Sequence, residues 1–363
     1  MSDKHFSYEE EFHARDRKQF RKERRISSLK DRSKFKKTDQ DQLKKRKLLP
    51  PENLLRGRVL AISPEGILVD SDEKLFTCSL KGSLKKEKNR IKNLVAVGDF
   101  VHFEPSGEKE GSIAFVEERR SVLSRAEHHM RQKEQLIAVN IDQVLITASV
   151  TSPTFKSPLI DRYVIAAKKG NMIPLIVINK IDLLHDASEE EKTIYAYFVE
   201  VYSKLGFAIF PVSASTGDGM QALKEAMRGK ASVFSGQSGV GKSSLINALT
   251  GSSLKIGEIV AKTSKGSHTT TSTHLIPLEG GGFCIDTPGI KSFGLWELSR
   301  QDIQDYFFEI QEVGRKCRYP NCSHLQEPEC AVKKAVEKGK ISPLRFDSYC
   351  ALMADLSSKH TPR

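Results

Sequence analysis

Two strand-end motifs occur in this chain, and their order constrains the fold more than any other feature. Residues 179–182 follow the apolar run 173–178, and the glycine-rich residues 236–243 follow the apolar run 231–235. Both motifs lie where open α/β sheets bind ligands, at the carboxyl ends of predicted strands. The glycine-rich motif ordinarily comes first in nucleotide-binding domains. Its later position here predicts a sheet whose strands are connected in a circularly permuted order.

The glycine-rich segment reads Gly-Gln-Ser-Gly-Val-Gly-Lys-Ser and matches a phosphate-binding loop. Its glycines let backbone N–H groups turn inward, Lys242 reaches the β and γ phosphates, and the Ser243 hydroxyl binds magnesium. Residues 244–249 have helical character, so the phosphates would lie at a helix N-terminus. We expect nucleotide contacts from Gly236, Gln237, Ser238, Gly239, Val240, Gly241, Lys242, Ser243 and Ser244.

The tetrapeptide Asn-Lys-Ile-Asp at 179–182 is the predicted base-reading loop. Asp182 can accept hydrogen bonds from guanine N1–H and the exocyclic amine, whereas adenine would leave this carboxylate unpaired, so GTP is favoured over ATP. Lys180 would lie along the base, and Asn179 would join the base loop to the phosphate loop. Taken alone, the tetrapeptide also fits an ordinary strand-end turn.

A third loop supports the guanine interpretation. The apolar run 207–212 leads to Ser213 and Ala214, whose backbone can meet the guanine O6. Three loops in a consistent order are typical of a GTPase, here with the base-reading half preceding the phosphate half.

Two polar segments after the phosphate loop are the predicted switches. Asp286 ends a strand and is expected to hold magnesium through water, and the Gly289 N–H is expected to meet the γ phosphate. A threonine hydroxyl would add to the magnesium site. We expect Thr270 in this role, although the choice between Thr269 and Thr270 is not forced.

The residue that positions the attacking water is not obvious in this chain. Ile290 stands just after Gly289, where many GTPases have a glutamine, and its side chain cannot orient water. His268 is the nearest candidate for this catalytic role. The alternative is that His268 is a solvated loop residue.

A cluster of Cys317, Cys322, His324 and Cys330 lies near the end of the chain. Three thiolates and one imidazole suit a tetrahedral zinc ion, and four protein ligands leave no open position for catalysis. The spacing therefore predicts one structural Zn²⁺. The alternative is four reduced residues without a metal.

The composition indicates a basic, soluble protein. No apolar run is long enough to span a bilayer, and the first residues are charged, so we expect no membrane partner and no signal peptide. Half of the cysteines fall in the predicted zinc cluster, which favours a reducing compartment, the cytoplasm. The net charge of +12 favours a polyanionic partner.

Much of the positive charge lies in residues 1–48, which hold 17 Lys and Arg against 9 Asp and Glu. This composition predicts a basic arm that is disordered or ordered by RNA; a solubilising tail is the alternative. A second basic run, 81–92, would meet nucleic-acid backbone if it lies on a barrel loop, and is otherwise a solvated connection.

The remaining pattern predicts a three-domain α/β protein. Five short β-rich runs at 57–62, 66–69, 75–80, 99–103 and 112–116 favour an OB-fold barrel. Strands then alternate with helices, as in a doubly wound sheet. We expect a basic arm at 1–50, an OB-fold RNA-binding domain at 51–122, a circularly permuted P-loop GTPase domain at 123–296 and a zinc-binding helical domain at 297–363.

With barrel, permuted loops and zinc cluster in this order, residues 55–355 closely resemble the ribosome small-subunit-dependent GTPase A family (RsgA, also called YjeQ). The family usually carries arginine where this chain has Ser267. Any role of that arginine in the family therefore does not carry over to Ser267. The resemblance implies a GTPase, with GTP, GDP and Mg²⁺ as ligands, that binds the 30S ribosomal subunit and its 16S rRNA late in assembly.

The resemblance also implies that the subunit stimulates hydrolysis, that hydrolysis precedes release, and that His268 takes part in it. We expect a monomer. The alternative function is a nucleotide-gated RNA-binding module in which hydrolysis is incidental. An ATP-using kinase is disfavoured by Asp182.

Overall fold

A closed five-stranded barrel begins the part of the chain that the structure describes. The structure is a computed structural model, and it describes residues 53–82, 84, 94–126, 134–250, 273–286 and 298–359. The barrel strands are β1 (Leu55–Ser63), β2 (Gly66–Ser71), β3 (Lys74–Leu80), β4 (Phe100–Pro105) and β5 (Glu110–Val116). They pair in the order β1-β2-β3-β5-β4 and close on β1. All five predicted strands are therefore present, and the expected OB-like barrel is confirmed.

Side chains along the barrel strands point alternately into the barrel and away from it. Inward residues such as Val59, Val69, Val101, Phe103 and Ile113 form one apolar cluster and are almost fully buried. Strands β3 and β5 run parallel, whereas the other pairs are antiparallel. The predicted basic arm, and most of the basic run 81–92, lie outside the described residues.

A two-stranded hairpin, which the sequence analysis did not predict, connects the barrel to the next domain. Strands β6 (Val122–Ala126) and β7 (Glu134–Val139) pair antiparallel. Backbone at the end of β7 approaches the barrel closely, because Val139 N–H donates to the Val97 carbonyl over 2.9 Å. The side chain of Asn140 then donates to the Gly98 carbonyl over 3.1 Å. One backbone bond and one side-chain bond therefore join the end of this hairpin to the barrel.

The central domain is a six-stranded sheet in the order β10-β9-β8-β11-β13-β12. Its strands are β8 (Gln143–Ser149), β9 (Ile173–Asn179), β10 (Ile209–Pro211), β11 (Ala231–Gly236), β12 (His274–Pro277) and β13 (Phe283–Asp286). All neighbours run parallel except β12 and β13. The phosphate-loop strand β11 lies beside β8, although β9 and β10 intervene in the chain, so the predicted permutation is confirmed.

Helices cover both faces of this sheet, as expected for a doubly wound fold. They are α1 (Ser157–Lys169), α2 (Glu189–Lys204), α3 (Met220–Met227) and α4 (Lys242–Thr250). Every residue of β8 is buried, and its side chains alternate between the two apolar clusters of the domain. Ile146 packs with Tyr163 and Phe198 on one face, and Leu145 packs with Leu223 and Leu245 on the other.

The barrel contacts this sheet near the starts of its parallel strands. Strand β1 packs against β12, and the Arg58 guanidinium lies 4.8 Å from the ring centre of Phe283, the first residue of β13. Arg58 also donates to the Asn140 carbonyl over 2.7 Å. The nucleotide motifs lie at the opposite, carboxyl ends of the strands.

The C-terminal part is helical, as predicted. It contains α5 (Arg300–Tyr306), α6 (Phe308–Gly314), α7 (Ala331–Glu337) and α8 (Pro343–Lys359). Ser299 and Asp302 form a capping box that begins α5. Ile303, Phe307 and Tyr349 are fully buried in its core. None of the helices described above combines the length and the apolarity that crossing a bilayer would take.

Replacement of Gly98 by alanine tests the contact between barrel and hairpin. Gly98 has a φ of +93°, and a Cβ there would lie 2.0 Å from the Val139 carbonyl oxygen. Both the strain and the overlap are unfavourable, so we expect Gly98→Ala to destabilise the protein by about 2 kcal/mol or more. Gly107→Ala is the control because nothing lies within 4 Å of its added Cβ. Calorimetric melting should show a lower Tm for Gly98→Ala than for the wild type and an unchanged Tm for Gly107→Ala. Equal Tm values for all three proteins would contradict a close contact.

Candidate nucleotide and metal sites

The phosphate loop joins β11 to α4, and two of its glycines leave no room for a side chain. A Cβ on Gly236 would lie 2.1 Å from the Thr147 carbonyl oxygen, and one on Gly241 would lie 2.3 Å from Asn179 Nδ2. Both residues have positive φ angles, +147° and +91°. The tight course of this loop therefore depends on glycine at these positions.

Lys242 is held across the loop by its own backbone. Its Nζ donates to the Gly236 carbonyl over 2.8 Å and to the Gln237 carbonyl over 2.7 Å. Partial burial lowers the pKa of Lys242. A phosphate placed within this loop would be an alternative acceptor for the same ammonium group.

Asn179 connects all three predicted loops. It is almost completely buried at the end of β9, and its Nδ2 donates to the Val240 carbonyl over 2.9 Å. Its Oδ1 accepts from the Ala214 N–H over 3.2 Å. The expected contact between base loop and phosphate loop is present, while nucleotide binding by these residues stays a prediction.

The Asp182 carboxylate is ionised and has an oxygen without a hydrogen-bond partner among the described residues. Its Oδ1 atom is shielded from solvent and has no hydrogen-bond partner among the residues described. The buried Ser213 hydroxyl lowers the pKa of Asp182, so the group is ionised at neutral pH. An ionised carboxylate accepts hydrogen bonds and cannot donate them. Guanine, with two adjacent donors, fits this requirement.

Lys180 lies beside the same site in a left-handed conformation, with φ of +66°. Its Nζ donates to the Ser152 carbonyl over 2.6 Å. The Ser149 hydroxyl donates to that carbonyl over 2.9 Å. The loop 150–156 therefore adjoins the base-reading loop, and the sequence analysis missed it because it matches no known motif.

The other predicted nucleotide residues are partly described. Val240 is buried, Gln237 is half-buried, and Ser238, Gly239, Ser243 and Ser244 are exposed around the loop. Asp286 ends β13, which pairs with β11. His268, Thr269, Thr270 and Gly289 lie outside the described residues. Of the two predicted direct magnesium ligands, only Ser243 is among the described residues, and it lies in the first turn of α4, which begins at Lys242.

The four predicted zinc ligands converge on one point. Their ligand atoms all lie within 4.8 Å of one another. Cys317 Sγ is 3.8 Å from Cys330 Sγ, and His324 Nδ1 is 3.6 Å and 3.4 Å from these two sulfurs. Bonds of about 2.3 Å to sulfur and about 2.0 Å to nitrogen require tetrahedral S···S and S···N separations of about 3.8 Å and 3.5 Å. The arrangement fits a zinc ion.

Burial changes the protonation of two members of the cluster. Burial raises the pKa of the Cys322 thiol to about 12 and lowers the pKa of His324. The imidazole is therefore neutral, which is the form that coordinates a metal. The thiol needs a nearby cation to ionise, and a bound zinc ion supplies that positive charge.

The sequence analysis also missed residues that shape this cluster. Glu327 accepts from the Ser323 N–H over 2.6 Å. Although partial burial opposes ionisation, hydrogen bonds from Ser323 keep the pKa of Glu327 at about 2. The Tyr349 hydroxyl donates to the Ser323 carbonyl over 3.2 Å. Gly314 backs the His324 ring, since a Cβ there would lie 3.0 Å from Nε2. Only the resulting fold shows that these residues surround the ligands.

Cys322→Ser tests the zinc site. We expect the variant to lose bound zinc and the cooperative folding of the C-terminal helices, because structural zinc contributes folding free energy directly. Cys350→Ser is the matched control, since Cys350 lies in the same domain but outside the cluster. Zinc content per chain and limited proteolysis are the measurements. Stable C-terminal helices in zinc-free Cys322→Ser protein would contradict a structural metal.

The same architecture occurs in known proteins. Residues 116–296 match the family model described as RsgA GTPase. The Small ribosomal subunit biogenesis GTPase RsgA of Chlorobaculum parvum is 45% identical over 278 residues, covering 74% of this chain and 88% of that protein. YjeQ from Thermotoga maritima superposes with a TM-score of 0.64 at 32% identity, covering 84% of this chain and 98% of YjeQ. YloQ, described as a circularly permuted GTPase, gives a TM-score of 0.66 at 26% identity, over 86% and 98% of the two chains. The chain therefore belongs to the RsgA family of circularly permuted GTPases.

Proposed function

We propose that this chain hydrolyses GTP on the small ribosomal subunit during its assembly. The observation that carries this proposal is the position of Asn179, three residues before Asp182, where it bonds both to the Val240 carbonyl of the phosphate loop and to the Ala214 N–H. Base recognition and phosphate binding thus meet in one site. The relatives' name, Small ribosomal subunit biogenesis GTPase, supplies the biological setting.

In this proposal each loop has a separate task. Asp182 accepts the two guanine donors, and Lys180 covers the base. Ala214 presents its backbone N–H, which Asn179 holds in place. Lys242 exchanges its carbonyl partners for the β and γ phosphates.

The metal-binding residues complete the assignment. Ser243 and Thr270, or Thr269 in its place, hold Mg²⁺ directly, and Asp286 holds it through water. Bound magnesium supplies positive charge that offsets the negative charge developing on the phosphates. The Gly289 N–H meets the γ phosphate. A single Zn²⁺ on Cys317, Cys322, His324 and Cys330 is structural.

The ribosomal partner is proposed from the net charge of the chain as well as from the names of its relatives. The net charge of +12 suits the phosphate backbone of 16S rRNA, and 17 Lys and Arg lie in residues 1–48 alone. We assign RNA contacts to this arm and to the barrel. The chain acts as a cytoplasmic monomer that leaves the 30S subunit after hydrolysis late in assembly.

Asp182→Asn tests base recognition. The substitution removes a charged acceptor, and each lost bond of this kind is worth about 1.5–3 kcal/mol, so GTP affinity should fall about tenfold or more while xanthine nucleotides gain. Asp186→Asn is the control, because Asp186 is an exposed carboxylate four residues further on. Titration calorimetry with GTP and XTP measures the affinity of each variant for the two nucleotides. An unchanged GTP-to-XTP preference would remove 179–182 as the base-reading loop.

Turnover with 30S, 50S and 70S particles tests the enzymatic role. Stimulation by 30S subunits is expected, and His268→Ala should lower the stimulated kcat by about 10²-fold while GTP affinity is retained. His185→Ala is the control because His185 is an exposed loop histidine. An unchanged kcat in His268→Ala would show that His268 does not position the water. Absence of any stimulation would favour the alternative, a nucleotide-gated RNA-binding module.

A further inference from the structure

Helix α1 is the surface on which the C-terminal domain is seated. The contacts occur at each helical turn: the Ser348 hydroxyl donates to Ser157 Oγ over 3.1 Å, Arg345 pairs with Asp161, and Lys169 Nζ lies 2.8 Å from Asp302 Oδ2. Ile165 belongs to the apolar core of the C-terminal domain rather than to that of the sheet. One face of α1 is thus occupied along its whole length.

The strongest of these contacts is a buried ionic cluster. Arg345 and Asp161 are 2% and 1% exposed. The Asp161 carboxylate also accepts from the Tyr202 hydroxyl over 2.7 Å, and Arg345 Nε donates to Glu309 Oε1 over 2.6 Å. The guanidinium lies 4.1 Å from the ring centre of Phe307. Burial disfavours the charged guanidinium, but the carboxylates of Asp161 and Glu309 raise the pKa of Arg345, so it remains ionised.

A buried pair of this kind has only one favourable geometry. Burial raises the pKa of Asp161 even beside Arg345. Displacing Arg345 would leave this carboxyl buried without its cation, which is strongly unfavourable. The position of the C-terminal domain and the position of α1 are therefore linked.

The N-terminal end of α1 adjoins the proposed nucleotide site. Loop 150–156 leads directly into α1, and a small cavity between them and the phosphate loop is lined by Pro153, Phe155, Gly236 and Val240. The Ser152 carbonyl accepts from Lys180 Nζ. A shift of α1 along its axis would therefore move the groups that adjoin both the base loop and the phosphate loop.

We propose that α1 couples the zinc-binding domain to the guanine nucleotide, with Asp161 and Arg345 as positioning residues for the nucleotide site. The inference rests on the proposed guanine-nucleotide binding. The two side chains act through loop 150–156 and do not touch the nucleotide. Because coupling between two sites is reciprocal, nucleotide binding should stabilise the docked C-terminal domain to the same extent.

GDP is the appropriate probe for this coupling. It lacks the γ phosphate, so it does not engage the predicted switch contact of Gly289, and an effect on GDP affinity must use another route. Two aspartates on the same helix–domain interface offer a matched comparison: Asp161 is buried against Arg345, and Asp355 pairs with Arg162 at the surface. Each can be changed to asparagine with little change in volume.

Calorimetric titration of full-length, zinc-loaded protein with GDP provides the first measurement. We expect Asp161→Asn to weaken GDP binding about tenfold, within the usual range for coupled sites, and Asp355→Asn to leave it within twofold. Hydrogen exchange provides the second measurement. GDP should slow exchange in α8 of the wild type and of Asp355→Asn, but not in Asp161→Asn.

The outcomes separate the inference from its premise. Equal GDP affinity in folded, zinc-loaded Asp161→Asn, with exchange in α8 still slowed, would overturn the coupling. If Asp161→Asn does not fold, Tyr202→Phe decides, because it removes only the hydroxyl bonded to Asp161; we expect about threefold weaker GDP binding, and an unchanged affinity would overturn the inference. Failure of the wild type itself to bind GDP would instead overturn the proposed function.

Discussion

The parallel pairing of β11 with β8 determines where the other parts of the candidate site lie. It aligns Gly236 with Thr147, so that the phosphate loop leaves the sheet at the same edge as the loops after β8 and β9. Asn179 can then reach the Val240 carbonyl across 61 residues of sequence. The permutation changes which strands are joined by the chain but not which strands are neighbours. A nucleotide site built from loop ends depends only on the neighbours.

The two additional domains attach to different parts of this framework. The barrel meets the sheet through β12 and Phe283, near the starts of the parallel strands. The C-terminal helices instead cover α1, whose first turn adjoins the nucleotide loops. Close-packed strands and helices move as units rather than deform continuously. The C-terminal domain is therefore packed on a helix that adjoins the proposed nucleotide site, whereas the barrel contacts the opposite ends of the parallel strands.

The sequence predicted those features in which chemistry is local. Glycines in the phosphate loop, the tetrapeptide at 179–182 and the clustered cysteines each act within a few residues, and the structure places them at strand ends or in one cluster. The barrel strands were predictable because alternation along a short strand reflects burial of one face. Only their ends differ from the prediction, by one or two residues.

Two features could not be predicted from the sequence alone. Asp161 resembles any acid on an amphipathic helix, and only Arg345, 184 residues later, makes it a buried ion. The apolar run 207–212 forms a strand only over Ile209–Pro211, because the Phe207 N–H bonds to the Tyr202 carbonyl at the end of α2. A tertiary contact decides the first case, and the turn that ends α2 decides the second.

The strand order also has a consequence for synthesis. Strands β8, β9 and β10 are consecutive in the chain and adjacent in the sheet, so they can assemble as soon as they emerge. Their inner edge is β8, in which every residue is buried in the finished protein. At about 5–20 residues per second, β11, which begins 20 residues after the end of β10, follows about 1–4 s later. During that interval an apolar strand edge, the kind most prone to mispairing, stays open. The half of the chain that carries the predicted base-reading loop is made first and remains incomplete until the half that carries the predicted phosphate loop arrives.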